Sequence, residues 1–184
     1  MLPVFLDTCV LLRPYLCDTL LSVAEAGVYR PLWSPMVMTE LERNLGRRGL
    51  NEKQIRHRLD QMNGAFPDAL VVGYEALIDQ MVNDPKDRHV LAAAARGGAE
   101  VLVTENLRDF PAQAVHPYNI EVVNQDTFCS MRSISVRPTC WPPFGVKSPG
   151  TTASRGLLGP GWPFWAARPQ AARDSAKCAV CRFD

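Results

Sequence analysis

The sequence predicts an α/β protein with a parallel central sheet flanked by helices, and three observations lead there. Short apolar runs of strand length, Pro3-Val4-Phe5-Leu6 and Val101-Leu102-Val103 among them, are bounded by polar residues. Segments with helical spacing alternate with these runs, which supplies the right-handed crossovers that parallel pairing requires. Several acids fall at the carboxyl ends of the runs or at adjoining helix starts, the edge at which open α/β sheets bind ligands.

The first run ends in Asp7-Thr8-Cys9, a carboxylate directly after a buried strand. Residues 15–26 have helical spacing through Leu16, Leu20 and Val23 and stop at Gly27; residues 29–33 read as a second strand. Ser34-Pro35 is a cap followed by a first helical residue, opening a helix through Val37, Glu40, Leu41 and Leu45, with Glu40 on the edge of its apolar face. Asn51 caps the charged segment EKQIRHRLDQM, whose stripe is Ile55, Leu59 and Met62. Residues 69–72 are a strand candidate, residues 74–82 a short helix, and Ile120-Glu121-Val122-Val123 the last strand.

The most informative stretch is DPKDRHVLAAAARGGAEVLVTENLRDF, residues 84–110. Asp84 reads as a cap, Pro85 as the first helical residue, and Gly97-Gly98 as the stop. Asp87 shares a helical face with Val90, Leu91 and Ala94, in line with the apolar stripe rather than on the solvated side. A carboxylate held there needs a partner or a metal. Asp87 could otherwise merely complement the helix dipole, and Glu105 is expected to face solvent.

Composition divides the chain. Hydrophobic residues make up 47% of the 184, enough for a core and unlike a disordered chain. Residues 1–128 carry 12 Lys+Arg against 17 Asp+Glu, a net −5, whereas residues 129–184 carry 8 against 2, a net +6. The first region is read as the domain. The second, a basic extension rich in Pro, Trp and Cys, lacks helical or strand periodicity and is expected to be poorly ordered; a frameshift near residue 129 would account for its unusual composition. Its Cys178-Ala-Val-Cys181 is a single CxxC without a second pair at zinc spacing. Cys9 and Cys17 alone give residues 1–128 no disulfide framework. MLPVFLD lacks the basic head of a signal peptide, and no apolar run approaches the ~18 residues of a bilayer span. A cytoplasmic protein with no membrane partner is expected.

Asp7, Glu40, Asp87 and Asp109 come from four segments that this topology can bring together. Carboxylates around one cleft repel one another unless a divalent cation neutralises them, and oxygen donors select Mg²⁺ or Mn²⁺ over zinc. His57, His89 and His116 show no zinc spacing, and no GxSxG or P-loop pattern is present. A carboxylate-held metal pair roughly 3.5–4 Å apart cleaves phosphodiesters without a nucleophilic side chain, so hydrolysis of a phosphate ester is the expected chemistry. A phosphatase using Asp7 as nucleophile is disfavoured, because position 9 of its usual DxDx[TV] pattern is Cys. Arg47, Arg48, Arg56 and Arg58 form either a solvated face or a set of phosphate contacts with salt-dependent binding. Trp33 is assigned to the core rather than to base stacking.

These residues carry a resemblance. VFLDTCVLL is similar to the opening strand of PIN-domain nucleases, SPMVMTELERNL to the helix bearing that family's Glu, NDPKDRHVLAAAA to the helix with its third acid, and LVTENLRDFP to the segment with its fourth. The likeness runs through about residues 3–128 and is nearest to the VapC-like toxins of bacterial toxin–antitoxin systems. It implies a three-layer α/β/α fold, Mg²⁺ or Mn²⁺ as cofactor, single-stranded RNA as substrate, a cognate antitoxin as partner, and homodimerisation. It makes Asp7 and Asp87 direct metal ligands and Glu40 either a ligand or the holder of a metal-bound water; Thr8, read from its place beside Asp7, either bonds the Asp7 carboxylate or simply satisfies the backbone. Two positions depart from the family. Cys9 stands where Asn is frequent, which is expected to loosen the bonding around Asp7. The commoner T-x-D pattern would put the fourth acid at Asn106, a neutral and weaker ligand, leaving Asp109 as its substitute. The alternative is a catalytically inert PIN-like module that binds RNA or protein.

Overall fold

Leu2–Leu6 form β1, an inner strand of a four-stranded parallel sheet, in a computed structural model that describes residues 1–131. The order is β2-β1-β3-β4, with β2 at Tyr29–Leu32, β3 at Val101–Val103 and β4 at Glu121–Val123. Leu2 pairs with Tyr29 on one side, and Val4 with Val101 on the other. Val4, Phe5 and Leu6 are fully buried, as expected of a parallel strand covered on both faces. Pro3 is tolerated because pairing with β3 begins only at Val4, and its carbonyl still accepts from Glu100 N at 3.0 Å.

Eight α-helices lie among the described residues, and with the parallel sheet they make the expected α/β/α arrangement. They are α1 (Thr8–Leu11), α2 (Pro14–Glu25), α3 (Pro35–Arg47), α4 (Glu52–Ala65), α5 (Glu75–Ile78), α6 (Arg88–Arg96), α7 (Ala112–Val115) and α8 (Gln125–Met131). Ser34 caps α3 by accepting from Val37 N, and Asn51 and Gln54 close a reciprocal capping box at α4. Three points differ from the expectation. Only Leu70 of residues 69–72 bridges the sheet, beside Trp33. The helix expected over 74–82 contracts to α5, and of the residues after it Met81 is buried while Val82 is exposed. A single 3₁₀ turn, Pro85–Asp87, precedes α6.

α8 continues past the expected boundary at 128, and Phe128 is buried edge-to-face against Tyr29 with ring centroids 5.2 Å apart. The extension with its CxxC, and the frameshift inferred for it, fall outside the described residues. No helix among those residues is long and apolar enough to cross a membrane.

The turn from α6 to β3 uses its two glycines differently. Gly98 has φ +64°, the left-handed value that ends helices. Gly97 has an ordinary φ, but a Cβ there would lie 2.8 Å from a Val71 methyl and 3.2 Å from a Leu32 methyl. Gly97→Ala, normally stabilising at a helix end, is therefore expected to cost about 1–3 kcal/mol by overpacking. Chemical denaturation checks this, and a raised midpoint would show that no such close approach exists.

Candidate active site

The chain leaves β1 for β2 on one side and later returns to β3 on the other, so a crevice opens between the carboxyl ends of β1 and β3. Asp7 follows β1 and Thr104 follows β3. Asp7 N continues the ladder by donating to Val103 O at 3.1 Å, which fixes the backbone from which the carboxylate projects. That carboxylate is buried and closely held. Oδ1 accepts from Thr8 N at 2.6 Å, capping α1, while Oδ2 accepts from Thr104 Oγ1 at 2.6 Å and from Cys9 Sγ at 3.1 Å.

Cys9 therefore does not loosen the site as expected. Its sulfur also accepts from Glu105 N at 3.3 Å, so it ties the strand ends together across the crevice. Burial, followed by the charge of Asp7, pushes the thiol up to about 12, which keeps it protonated and donating. Thr8 bonds the Asp7 carboxylate through its backbone N, while its hydroxyl donates to Glu40 Oε2 at 2.9 Å.

Glu40, half-buried on α3, is engaged at both oxygens. Oε1 lies 3.2 Å from His89 Nε2, at ion-pair distance but off the hydrogen-bonding line. The contact with His89 holds the Glu40 carboxyl below its usual range, with help from Thr8 and against the effect of burial. His89 is buried two residues after Asp87, so α3 and α6 meet at this pair.

Asp87 is the strained member. Desolvation, a hydrogen bond shared with Asp109 and the nearby charge of Asp7 push it up to about 7. Its Oδ2 is buried without a hydrogen-bond partner. Asp109, in the 3₁₀ turn Leu107–Asp109, shifts the other way, because Lys86 Nζ lies 3.0 Å from its Oδ2. Of the two neighbours, Asp87 is therefore the one that holds a proton more readily.

Pairwise links connect these acids: Asp7 to Glu40 through Thr8, Glu40 to α6 through His89, and Asp87 to its neighbour Asp109. Both amide atoms of Asn83 and Glu105 Oε1 are also buried without partners, and Glu105 therefore does not simply face solvent. Such orphaned groups call for a polar ligand. Among the described residues, however, no three His, Cys, Asp or Glu side chains converge closely enough to form a ready-made metal cage.

Of the remaining expected residues, Asn106 is exposed, and its backbone N donates to Thr104 Oγ1 at 3.1 Å. Arg47 and Arg48 are exposed, and Arg56 is exposed and paired with Glu52 at 2.8 Å. Arg58 departs from the expectation. It is 1% exposed, and Nη2 donates to Leu11 O at 2.7 Å, satisfying a carbonyl at the end of α1. A guanidinium held there cannot form part of a phosphate-facing surface. Trp33 is core, as assigned. His89, Thr104, Lys86 and Asn83 were not singled out from the sequence. The place of His89 beside the apolar stripe of α6 was the available signal for it.

A model of the PIN domain matches residues 3–108, a span that includes Asp7, Glu40 and Asp87 and stops one residue before Asp109. A 60-residue stretch is 53% identical to the protein named "Putative ribonuclease VapC50" of Mycobacterium tuberculosis (strain ATCC 25618 / H37Rv), covering 33% of this chain and 36% of that one. The chain thus aligns with about a third of that relative's length. No solved structure matches the chain. The parallel order β2-β1-β3-β4 and a match spanning more than half of the residues together make this chain a member of the PIN-domain family.

Proposed function

We propose that the protein is a divalent-metal-dependent endoribonuclease that hydrolyses phosphodiester bonds of single-stranded RNA, acting as the toxin of a two-component toxin–antitoxin pair. The observation that supports this reading is Asp87, whose Oδ2 is buried and unpartnered and which lies near the charges of Asp7 and Asp109 at the carboxyl ends of the strands. The name of the Mycobacterium tuberculosis relative supports the choice of RNA as substrate.

The residues fit a hard cation. Every donor is oxygen, the set is rich in negative charge, and the raised Asp87 marks where positive charge is needed. Asp7 and Asp87 would hold the ion directly. Glu40 would act as a ligand or through a water, with its orientation set by Thr8 and His89. Because three side chains do not already form a cage, water and RNA phosphate oxygens would complete the coordination, in keeping with the habits of Mg²⁺. Bound Mg²⁺ or Mn²⁺ would supply the Lewis acidity that activates water against the phosphodiester. Asp109 and Asn106 line the same end of the site, one charged and one neutral. The exposed Arg47 and Arg48 could neutralise flanking phosphates. A small DNA-binding antitoxin and a second copy of the chain are the partners that go with this reading, in the cytoplasm. Residues 1–128 are proposed as the nuclease unit and residues 129–184 as an extension outside it.

The inert-module alternative draws on Asn106 and on the lack of a ready-made cage among the described residues. Labelled RNA separates the two readings. Single-stranded RNA should be cut in Mg²⁺ and spared in EDTA, while a matched duplex persists in both. No cleavage under any condition would favour the inert module, and cleavage indifferent to EDTA would overturn the metal dependence.

A further inference from the structure

The carboxylate at position 109 already has a cation. Lys86 Nζ lies 3.0 Å from Asp109 Oδ2, and Lys86 sits in the middle of the 3₁₀ turn Pro85–Asp87. That turn is tied to the acid it serves: Asp84 N donates to Asp109 O at 3.3 Å, and the Asp84 side chain accepts from Lys86 N at 3.1 Å. The ammonium is therefore delivered to Asp109 by a braced segment, although its tip remains open to solvent.

The rest of that end of the site has little to offer a second divalent ion. Asn106, where an acid would sit in the commoner pattern, is neutral and exposed. Asp109 Oδ2 is committed to Lys86, and no ready-made group of three acidic, His or Cys ligands stands at this end among the described residues.

We infer that Lys86 supplies the positive charge which a second divalent ion would otherwise bring to the Asp87–Asp109 end, so that the site takes a single resident ion. The inference rests on the metal-dependent reading proposed above. A lysine suits the task because its ammonium is a compact charge on a flexible stem. It can neutralise Asp109 in the resting protein and turn toward an RNA phosphate when substrate arrives.

Calorimetric titration of the full chain with Mn²⁺ tests this, using the parent, Lys86→Arg and Lys86→Ala. Lys86 is largely exposed, so these variants keep the fold, and circular dichroism verifies that. The parent and Lys86→Arg should each bind one ion per chain. Lys86→Ala, with Asp109 released, should bind two. Two ions in the parent, or only one ion in Lys86→Ala at any affinity, would overturn the role of Lys86. No ion bound by any of the three would overturn the metal-dependent reading itself, and the role of Lys86 with it.

Discussion

Asp87→Asn is expected to lower RNA cleavage by about a thousandfold or more while leaving the unfolding midpoint unchanged or higher. The metal contribution to transition-state charge is several kcal/mol, and each 1.36 kcal/mol is tenfold in rate. An amide keeps the shape of the side chain but offers the ion no charge. It also removes an ionisable group whose charged form is disfavoured by burial and by Asp109 and Asp7. Asp7→Asn should be equally inactive yet less stable, by about 1 kcal/mol, because the Asp7 carboxylate accepts three hydrogen bonds, including the cap of α1. Single-turnover cleavage alongside thermal melts distinguishes the two effects. If both variants cut RNA as fast as the parent, the assignment of the site is wrong.

Without metal, stability should fall as pH rises from about 4 to about 7. Asp87 is pushed from its usual 3.8 up to about 7 in the folded protein, so the folded state binds its proton more tightly than the unfolded chain does. The stabilisation is complete below pH 4 and disappears as pH climbs through 7. Asp109, shifted down, acts in the opposite sense but only below its ordinary range, outside this window. The two neighbouring carboxyls influence each other and titrate as a unit. Mg²⁺ should reverse the loss by taking the proton's place, so the gap between Mg²⁺ and EDTA melts should widen toward pH 7. The difference between parent and Asp87→Asn isolates the effect. A flat difference across pH 4–7 would contradict the raised Asp87.

Much of this was legible in the sequence because the relevant signals are local. Ser34-Pro35 and the Asn51–Gln54 box mark helix starts by satisfying backbone donors within a few residues, and β1 is an unbroken apolar run. Asp7 and Asp87 could be singled out because a carboxylate at a strand end or on an apolar stripe conflicts with its surroundings. Residues 69–82 were less legible. Leu70 and Val72 are exposed although apolar, so their pattern imitates a buried strand.

The site's supporting bonds were not legible, since they join residues far apart in the chain. Cys9 to Glu105, Thr8 to Glu40 and His89 to Glu40 exist only once α1, α3, α6 and the end of β3 are assembled. Arg58 was misassigned although its spacing held the clue. It lies three residues after Ile55 and four before Met62, on the stripe that α4 buries. Its charge suggested a surface, and the carbonyl of Leu11 instead drew it inward.

Anomalous diffraction from crystals soaked in Mn²⁺ tests the central claim most directly. One anomalous peak should stand in the β1–β3 crevice, within direct coordination distance of Asp7 and Asp87 carboxylate oxygens and close to Glu40. A crevice that stays empty at saturating Mn²⁺, with peaks only at surface carboxylates elsewhere, would contradict the account.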